Sequence, residues 1–398
     1  MSQQACRELR DDLQLPMVIL VVFVAINLRP FLTSPGPIIE LIRADTGLTY
    51  TGTALLTLIP TIVMGLGAFA APALQAHVGT RRGILGALVI LALGSLLRLI
   101  VPGADTLLFT ALLCGIGVAF IQSTFPGVIK EHFPGRMAII TGIYSATIMG
   151  GGALGAQVTP LLVSHGHDWR EALAWLALPA ILATLFAYRT LGDQRNERPD
   201  TAIIQTLIRL PRAWLLMVAF GFVNAGYSSA VTWLAPFYQH QGLSVAHSAN
   251  LVSIMAICQA FAAVGISYLA SSSKDRRPFL CVTAALQIVG YLGLAWLPDV
   301  SPIAWSATCG IGLGGSFAIS LVTALDHLPS PQQAGALTAI MQGGGFLIAA
   351  LGPLALAMLL SWTGTYQAGW IMHLCLALIS LMLYLRLDPS RYHLAMNP

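Results

Sequence analysis

The chain has 398 residues, 56% of them hydrophobic and only 9% charged, with a formal net charge of +4. A soluble protein carries about 25% charged residues, so a soluble enzyme is excluded, and so small a net charge gives no footing for nucleic acid. What remains is an all-α membrane protein, because a helix satisfies its own backbone inside lipid.

A membrane-spanning helix needs about 20 mostly apolar residues. Twelve segments qualify: 17–39, 50–74, 83–101, 106–129, 137–163, 171–190, 213–238, 247–270, 278–297, 302–325, 334–360 and 367–386. The first is too long for a signal h-region and has no small-x-small site after it, so it reads as a retained span. It contains the string NLRPFLTSPGP, which puts Arg29 at mid-membrane. A central arginine costs roughly 2.5–3.5 kcal/mol on insertion scales and is functional by default. All sixteen acidic residues fall in loops, tails or segment ends, so none is placed to pair with it. The missing negative charge is then expected to arrive as a ligand. The structural alternative is that Arg29 snorkels, or holds carbonyls freed by Pro30, Pro35 and Pro37.

Farther along, Arg98 ends the third span and is expected to snorkel to the interface. Long polar side chains recur at depth: Gln122 in the fourth span, Tyr144 in the fifth, Asn224 and Tyr227 in the seventh, Gln259 in the eighth and Gln342 in the eleventh. At 1.5 Å per residue, Asn27, Arg29, Asn224 and Tyr227 share one depth. Together such groups can wrap a small anion with charge-assisted hydrogen bonds; singly, each except Arg29 is better explained as interhelical glue. His373, in the twelfth span, is the histidine placed for proton coupling, although a packing role explains it better.

Of the six cysteines, five (Cys114, Cys258, Cys281, Cys309, Cys375) lie in apolar segments with no metal spacing, and Cys6 precedes the first span. No metal and no cofactor is implied. Walker, HExxH and GxSxG motifs are absent, and the formal GxGxxG at Gly310 to Gly315 lies inside an apolar helix with no strand before it. The chain is therefore expected not to be an enzyme.

Residues 191–212 are polar, mixed in charge, and divide the spans six and six. The expected domains are an N-terminal six-helix bundle (1–190), this linker, and a C-terminal six-helix bundle (213–398). With the N-terminus inside, sixteen of the twenty basic residues, Arg7, Arg10, Arg195 and Arg198 among them, fall on the cytoplasmic side, and Arg43, Arg98 and Arg170 opposite. The positive-inside rule thus puts both termini in the cytoplasm. The halves also repeat. At an offset of 195 residues, Arg81-Arg82 falls on Arg276-Arg277, Cys114-Gly115-Ile116-Gly117 on Cys309-Gly310-Ile311-Gly312, Glu131-His132 on Asp326-His327, and Trp175 on Trp370. A parallel repeat of six plus six helices is the architecture of a secondary transporter.

Particular strings make the likeness specific. They are Asn27-Leu28-Arg29-Pro30 with Leu32-Thr33-Ser34 and Gly36-Pro37, Pro126 to Lys130, Met149 to Gly152 with Leu154-Gly155-Ala156, Ala324 to His327, and Met341-Gln342-Gly343. On these the chain resembles the cyanate and nitroimidazole porter branch of the major facilitator superfamily over nearly its whole length, and the cyanate porters most. The resemblance implies the major facilitator fold, with the first, fourth, seventh and tenth spans lining a cavity. It also implies a small-molecule substrate, expected to be anionic, and a monomer in the bilayer of a bacterial inner membrane.

Loosely, the loops HVGTRRG and KDRRP resemble the superfamily's basic signature. Glu131 and Asp326 are then expected to pair with Arg81, Arg82, Arg276 and Arg277 as a cytoplasmic gate. A solvated positive-inside cluster is the alternative, since exposed pairs are weak. The glycine run in the fifth span is not the Gly-Pro signature of drug antiporters. The function expected is alternating-access transport of a small anion such as cyanate. The alternatives are a carrier of neutral or aromatic organics (nitroimidazole-like uptake or drug efflux) and an anion channel.

Overall fold

Every expected apolar segment is largely helical, the first with a break at residues 26–29. The computed structural model describes residues 15–48, 50–192 and 202–396, and the described residues contain no strand. Arg7, Arg10, Cys6, Arg195 and Arg198 lie outside them. Among the described residues, twelve helices are long and apolar enough to cross a membrane: Leu15–Ile38, Leu55–Val78, Thr80–Ile100, Ala104–His132, Met137–Ser164, Trp169–Thr190, Pro211–His240, Asn250–Ser271, Arg277–Trp296, Pro302–Asp326, Pro331–Thr363 and Gln367–Leu385. Proline opens the seventh, tenth and eleventh, where its missing N–H is no loss. Gly364 closes the eleventh in the left-handed region at φ 71°, which favours a residue without Cβ.

The repeat seen in the sequence is also a repeat of packing. In the first half the second span packs on the fourth, and the third on the fourth and sixth. In the second half the eighth packs on the tenth, and the ninth on the tenth and twelfth. Contacts between halves come in exchanged pairs too: second with eleventh matches fifth with eighth, and fourth with eleventh matches fifth with tenth. Equivalent glycines permit equivalent approaches. A Cβ on Gly94 would lie 2.8 Å from the Cys114 sulfur, and one on Gly290 2.3 Å from the Cys309 sulfur. Cys114 and Cys309 are thus small packing residues, as expected, whereas Cys258 and Cys281 are partly buried and Cys375 is exposed.

Two short helical elements lie outside the spans. The linker carries a short helix, Ala202–Leu207, that packs on the eleventh span, with Leu207 and Leu210 buried. After the twelfth span, a 3-10 turn (Pro389–Arg391) and a short helix (Tyr392–Met396) fold back, burying Leu387, Tyr392 and Met396. Below, the end of the bundle that carries the linker and this tail is called the linker end.

Candidate functional site

The site begins with a break. Residues 15–25 are helical, then the chain leaves the helix at residues 26–29 and resumes as Pro30–Thr33. Proline at position 30 disfavours the α region for the residue before it, and Arg29 sits at φ −123°, ψ −27°. The break is held from outside the first span. Thr33 Oγ1 donates to the Gly152 carbonyl at 2.7 Å, and the Ile26 carbonyl lies over Gly151, where a Cβ would come within 2.3 Å of it. The glycine run of the fifth span is therefore the bed on which the broken segment lies.

Arg29 points from this break to the seam between the halves. It is only 6% exposed, and no carboxylate pairs with it among the described residues. Its Nε and Nη2 atoms are buried without a hydrogen-bond partner. Its guanidinium lies over the Tyr227 ring of the seventh span, 4.9 Å from the centroid, a cation–π contact that joins the two halves. From the fifth span, Tyr144 lies within reach of the Arg29 charge. Its ring stacks on Phe125 of the fourth at 5.8 Å, and its hydroxyl has no partner. One residue-turn from Phe125, Gln122 leaves both side-chain polar atoms unpaired, while its backbone carbonyl accepts from Gln342 Nε2 at 2.9 Å. Gln342 Oε1 and Gln259 Nε2 are likewise buried and unpaired. Native proteins satisfy about 90% or more of such groups. Arg29, Tyr144 and Tyr227 thus cluster at the seam, the Gln342–Gln122 hydrogen bond is a second bridge between the halves, and the Gln259 backbone lies against Gly314 of the tenth span.

Other expected members are placed elsewhere. Asn27 donates to the Phe23 carbonyl at 2.7 Å and to the Pro179 carbonyl of the sixth span at 3.3 Å. It ties the first span to its own half, whereas Arg29, two residues farther along the non-helical break, faces the seam. Asn224 lies a turn before Tyr227 but commits its amide nitrogen to the Phe220 carbonyl at 2.9 Å. His373 is buried within the second half, 5.6 Å from the Tyr291 ring and 6.5 Å from Trp370, and is not part of the Arg29 seam. Arg98 does not snorkel. The third span ends in a 3-10 turn, Leu97–Ile100, that winds it inward. It is 1% exposed and approaches Thr110 Oγ1 at 3.4 Å and the Phe31 carbonyl at 3.5 Å. A second arginine therefore supports the broken segment from behind.

At the linker end the expected gate is rearranged. Asp326 accepts from Arg276 Nε at 2.8 Å, and Arg277 pairs with Asp275 at 2.8 Å, both within the second half. Arg81 donates to the Tyr188 carbonyl at 3.0 Å, within the first. Glu131 is exposed and forms no ion pair among the described residues. The link between halves is made one residue earlier, by Lys130. Its ammonium donates to the carbonyls of Leu325 and Leu328 at the end of the tenth span, where the helix dipole favours a cation, and the Asp326 charge acts on it. Burial pushes His327, next to Asp326, down to about 4, so it stays neutral at pH 7. Alanine in place of Lys130 should open this seam. A cysteine placed at position 123 should then react faster with thiol reagent from the linker side, by roughly tenfold for a loss of about 1.5 kcal/mol. An unchanged rate would remove Lys130 from the gate.

A twelve-helix bundle with a two-fold repeat and a polar seam can be compared with known proteins. Residues 19–336 match the Major Facilitator Superfamily. The chain belongs to the major facilitator superfamily. It is 40% identical over 379 residues to the cyanate transport protein CynX of Escherichia coli (strain K12), covering 94% of this chain and 98% of that one. It is 28% identical over 336 residues to the 2-nitroimidazole transporter of the same organism, covering 84% and 85%. The structure of the proton:xylose symporter XylE superposes with a TM-score of 0.78 at 12% identity, covering 95% of this chain and 96% of that one, which shows the shared fold. The chain is thus a multi-pass membrane transporter. Major facilitator proteins work by alternating access, which sets the channel alternative aside.

Proposed function

We propose that this chain carries a small monovalent anion of the cyanate class across a bacterial inner membrane, as a monomer and without chemical change to the substrate. The observation that carries this reading is the Arg29 guanidinium. It is buried at the seam between halves with two unpaired nitrogens and no carboxylate partner among the described residues. Tyr144, Gln122, Gln342, Gln259 and Tyr227 supply the surrounding hydrogen bonds and aromatic face, and Asn224 borders them. The 40% identity to a cyanate transport protein supports the substrate class. The bundles on either side of the linker, residues 1–190 and 213–398, are the bodies that rock about the site, and Lys130 closes its cytoplasmic side.

Flux into proteoliposomes tests the substrate. Anion uptake should slow when the lumen is made negative, since moving one charge against 100 mV costs about 2.3 kcal/mol. Insensitivity to voltage would require a co-transported proton or exchange for another anion. Uptake of a neutral heterocycle such as 2-nitroimidazole with no uptake of cyanate would replace this reading with the neutral-organic one.

For orientation, we propose that the linker end is cytoplasmic. It gathers Arg81, Arg82, Lys130, Arg212, Arg276 and Arg277, as the positive-inside rule requires. In a background lacking native cysteines, an impermeant thiol reagent applied to whole cells should label position 241 and spare position 274. The reverse pattern would invert the topology.

A further inference from the structure

A second cationic site lies outside the transport seam. At the linker end of the second half there is a cavity of about 780 Å³, walled by the starts of the seventh and ninth spans, the end of the twelfth, and the tail that folds back beneath them. Four arginines, Arg212, Arg277, Arg386 and Arg391, line it together with one carboxylate, Asp388. The charge is not balanced locally. Asp388 lies 3.4 Å from Arg277, and Asp275 holds the same guanidinium at 2.8 Å, so both acids converge on one arginine. Arg212 donates to the Arg386 backbone carbonyl at 2.7 Å. Arg212, Arg386 and Arg391 have no ion pair among the described residues. Three like charges facing one volume repel, and the folded tail keeps them there.

That tail is anchored rather than loosely laid. The Tyr392 ring stacks on His327 with centroids 3.7 Å apart, and Leu387, Tyr392 and Met396 are buried. The walls of the cavity are therefore held by this packing together with the Arg277–Asp388 pair and the Arg212 hydrogen bond, and Arg391 takes part in none of these contacts. Its lip is apolar: Leu385 and Leu394, both lining residues, are 59% and 74% exposed. Arg212 is the second residue of its span and Arg386 follows the last residue of another, so the cavity lies at headgroup depth. A cationic floor under an apolar lip at that depth matches a phosphodiester whose acyl chains run along the lip. Free phosphate would satisfy the arginines but leave the lip unused.

We propose that this cavity binds the phosphate headgroup of an anionic phospholipid, so that the tail and the ends of three spans are tied to the leaflet they face. The inference rests on the protein being embedded in a bilayer and is independent of the transported substrate.

The test is thermal stability of the purified full-length protein in zwitterionic detergent, titrated with phosphatidylglycerol, phosphatidylcholine or inorganic phosphate. Each variant is compared with its own lipid-free baseline. Phosphatidylglycerol should stabilise the wild type saturably, and the other two should not. In the double variant Arg212→Gln, Arg391→Gln its apparent Kd should rise about 30-fold, or about 2 kcal/mol. Arg391→Gln alone changes an exposed side chain and spares the fold, and it should raise Kd about 5-fold. Equal protection by inorganic phosphate would make this a free-anion site and overturn the lipid assignment. An unchanged Kd in Arg391→Gln, with or without the double variant, would place the lipid elsewhere.

Discussion

Replacing Arg29 with alanine should abolish anion uptake without lowering the thermal stability of the substrate-free protein. The two halves of this result test different things. An anion held bidentately makes two charge-assisted hydrogen bonds, each worth about 1.5–3 kcal/mol. Their loss predicts uptake at limiting substrate reduced by more than about 100-fold, at 1.4 kcal/mol per decade. Lysine keeps the charge but not the planar fork, so Arg29→Lys should retain only a small fraction of transport. Stability should move the other way. A buried charge without a partner costs several kcal/mol of desolvation, and the Tyr227 contact offsets only about 0.5–2 kcal/mol of it. Removing the guanidinium therefore relieves more than it loses. A fall in Tm of several degrees with transport of a small anion retained would show that Arg29 holds the broken backbone instead of reading charge. Thermal shift by the substrate adds a second readout: cyanate should raise the Tm of the wild type and leave Arg29→Ala unmoved.

Much of this site is legible along the chain because its signal is local. A cation and three prolines within one apolar segment announce a broken span, and the offset of 195 residues announces the two-fold. What was not legible depends on direction around a helix. Arg98 stands near the end of its span, so depth alone suggests snorkelling, but the 3-10 turn that begins at Leu97 rotates it inward to Phe31. The equivalence of Glu131 with Asp326 pointed to paired acids at the gate. Neighbouring helix positions differ by about 100° in direction at 3.6 residues per turn, and that step gives the contact to Lys130 while Glu131 faces solvent. Asn27 and Arg29 likewise share a depth and face different helices, the sixth and the seventh. The tail helix over the second half left no signal in hydropathy, because its five residues are too few to show a period.

The glycine run of the fifth span should be position-sensitive to a single methyl. At Gly151 a Cβ would sit 2.3 Å from the Ile26 carbonyl oxygen and 3.0 Å from its carbon, whereas at Gly150 it would meet nothing within 4 Å. Both changes to alanine bring the same gain in helix propensity, about 0.5–1 kcal/mol, so Gly150→Ala controls for everything except the contact. The obstacle at Gly151 is backbone, which cannot rotate aside as a side-chain tip can. The first span must therefore move away from the fifth at the point where it breaks, three residues before Arg29. Overpacking of this kind costs about 1–3 kcal/mol, and displacement of a positioned group by about 1 Å has cost up to 100-fold in other sites. Gly151→Ala should thus reduce uptake at least tenfold, chiefly through weaker binding, while Gly150→Ala stays within about twofold of wild type. Gly155, where a Cβ would lie 2.8 Å from the Pro30 Cα, should behave like Gly151. Proteoliposome flux and the substrate-induced Tm shift check all three. If Gly150→Ala and Gly151→Ala transport equally well, the broken span is not seated on the fifth as described, and the placement of Arg29 at the seam loses its support.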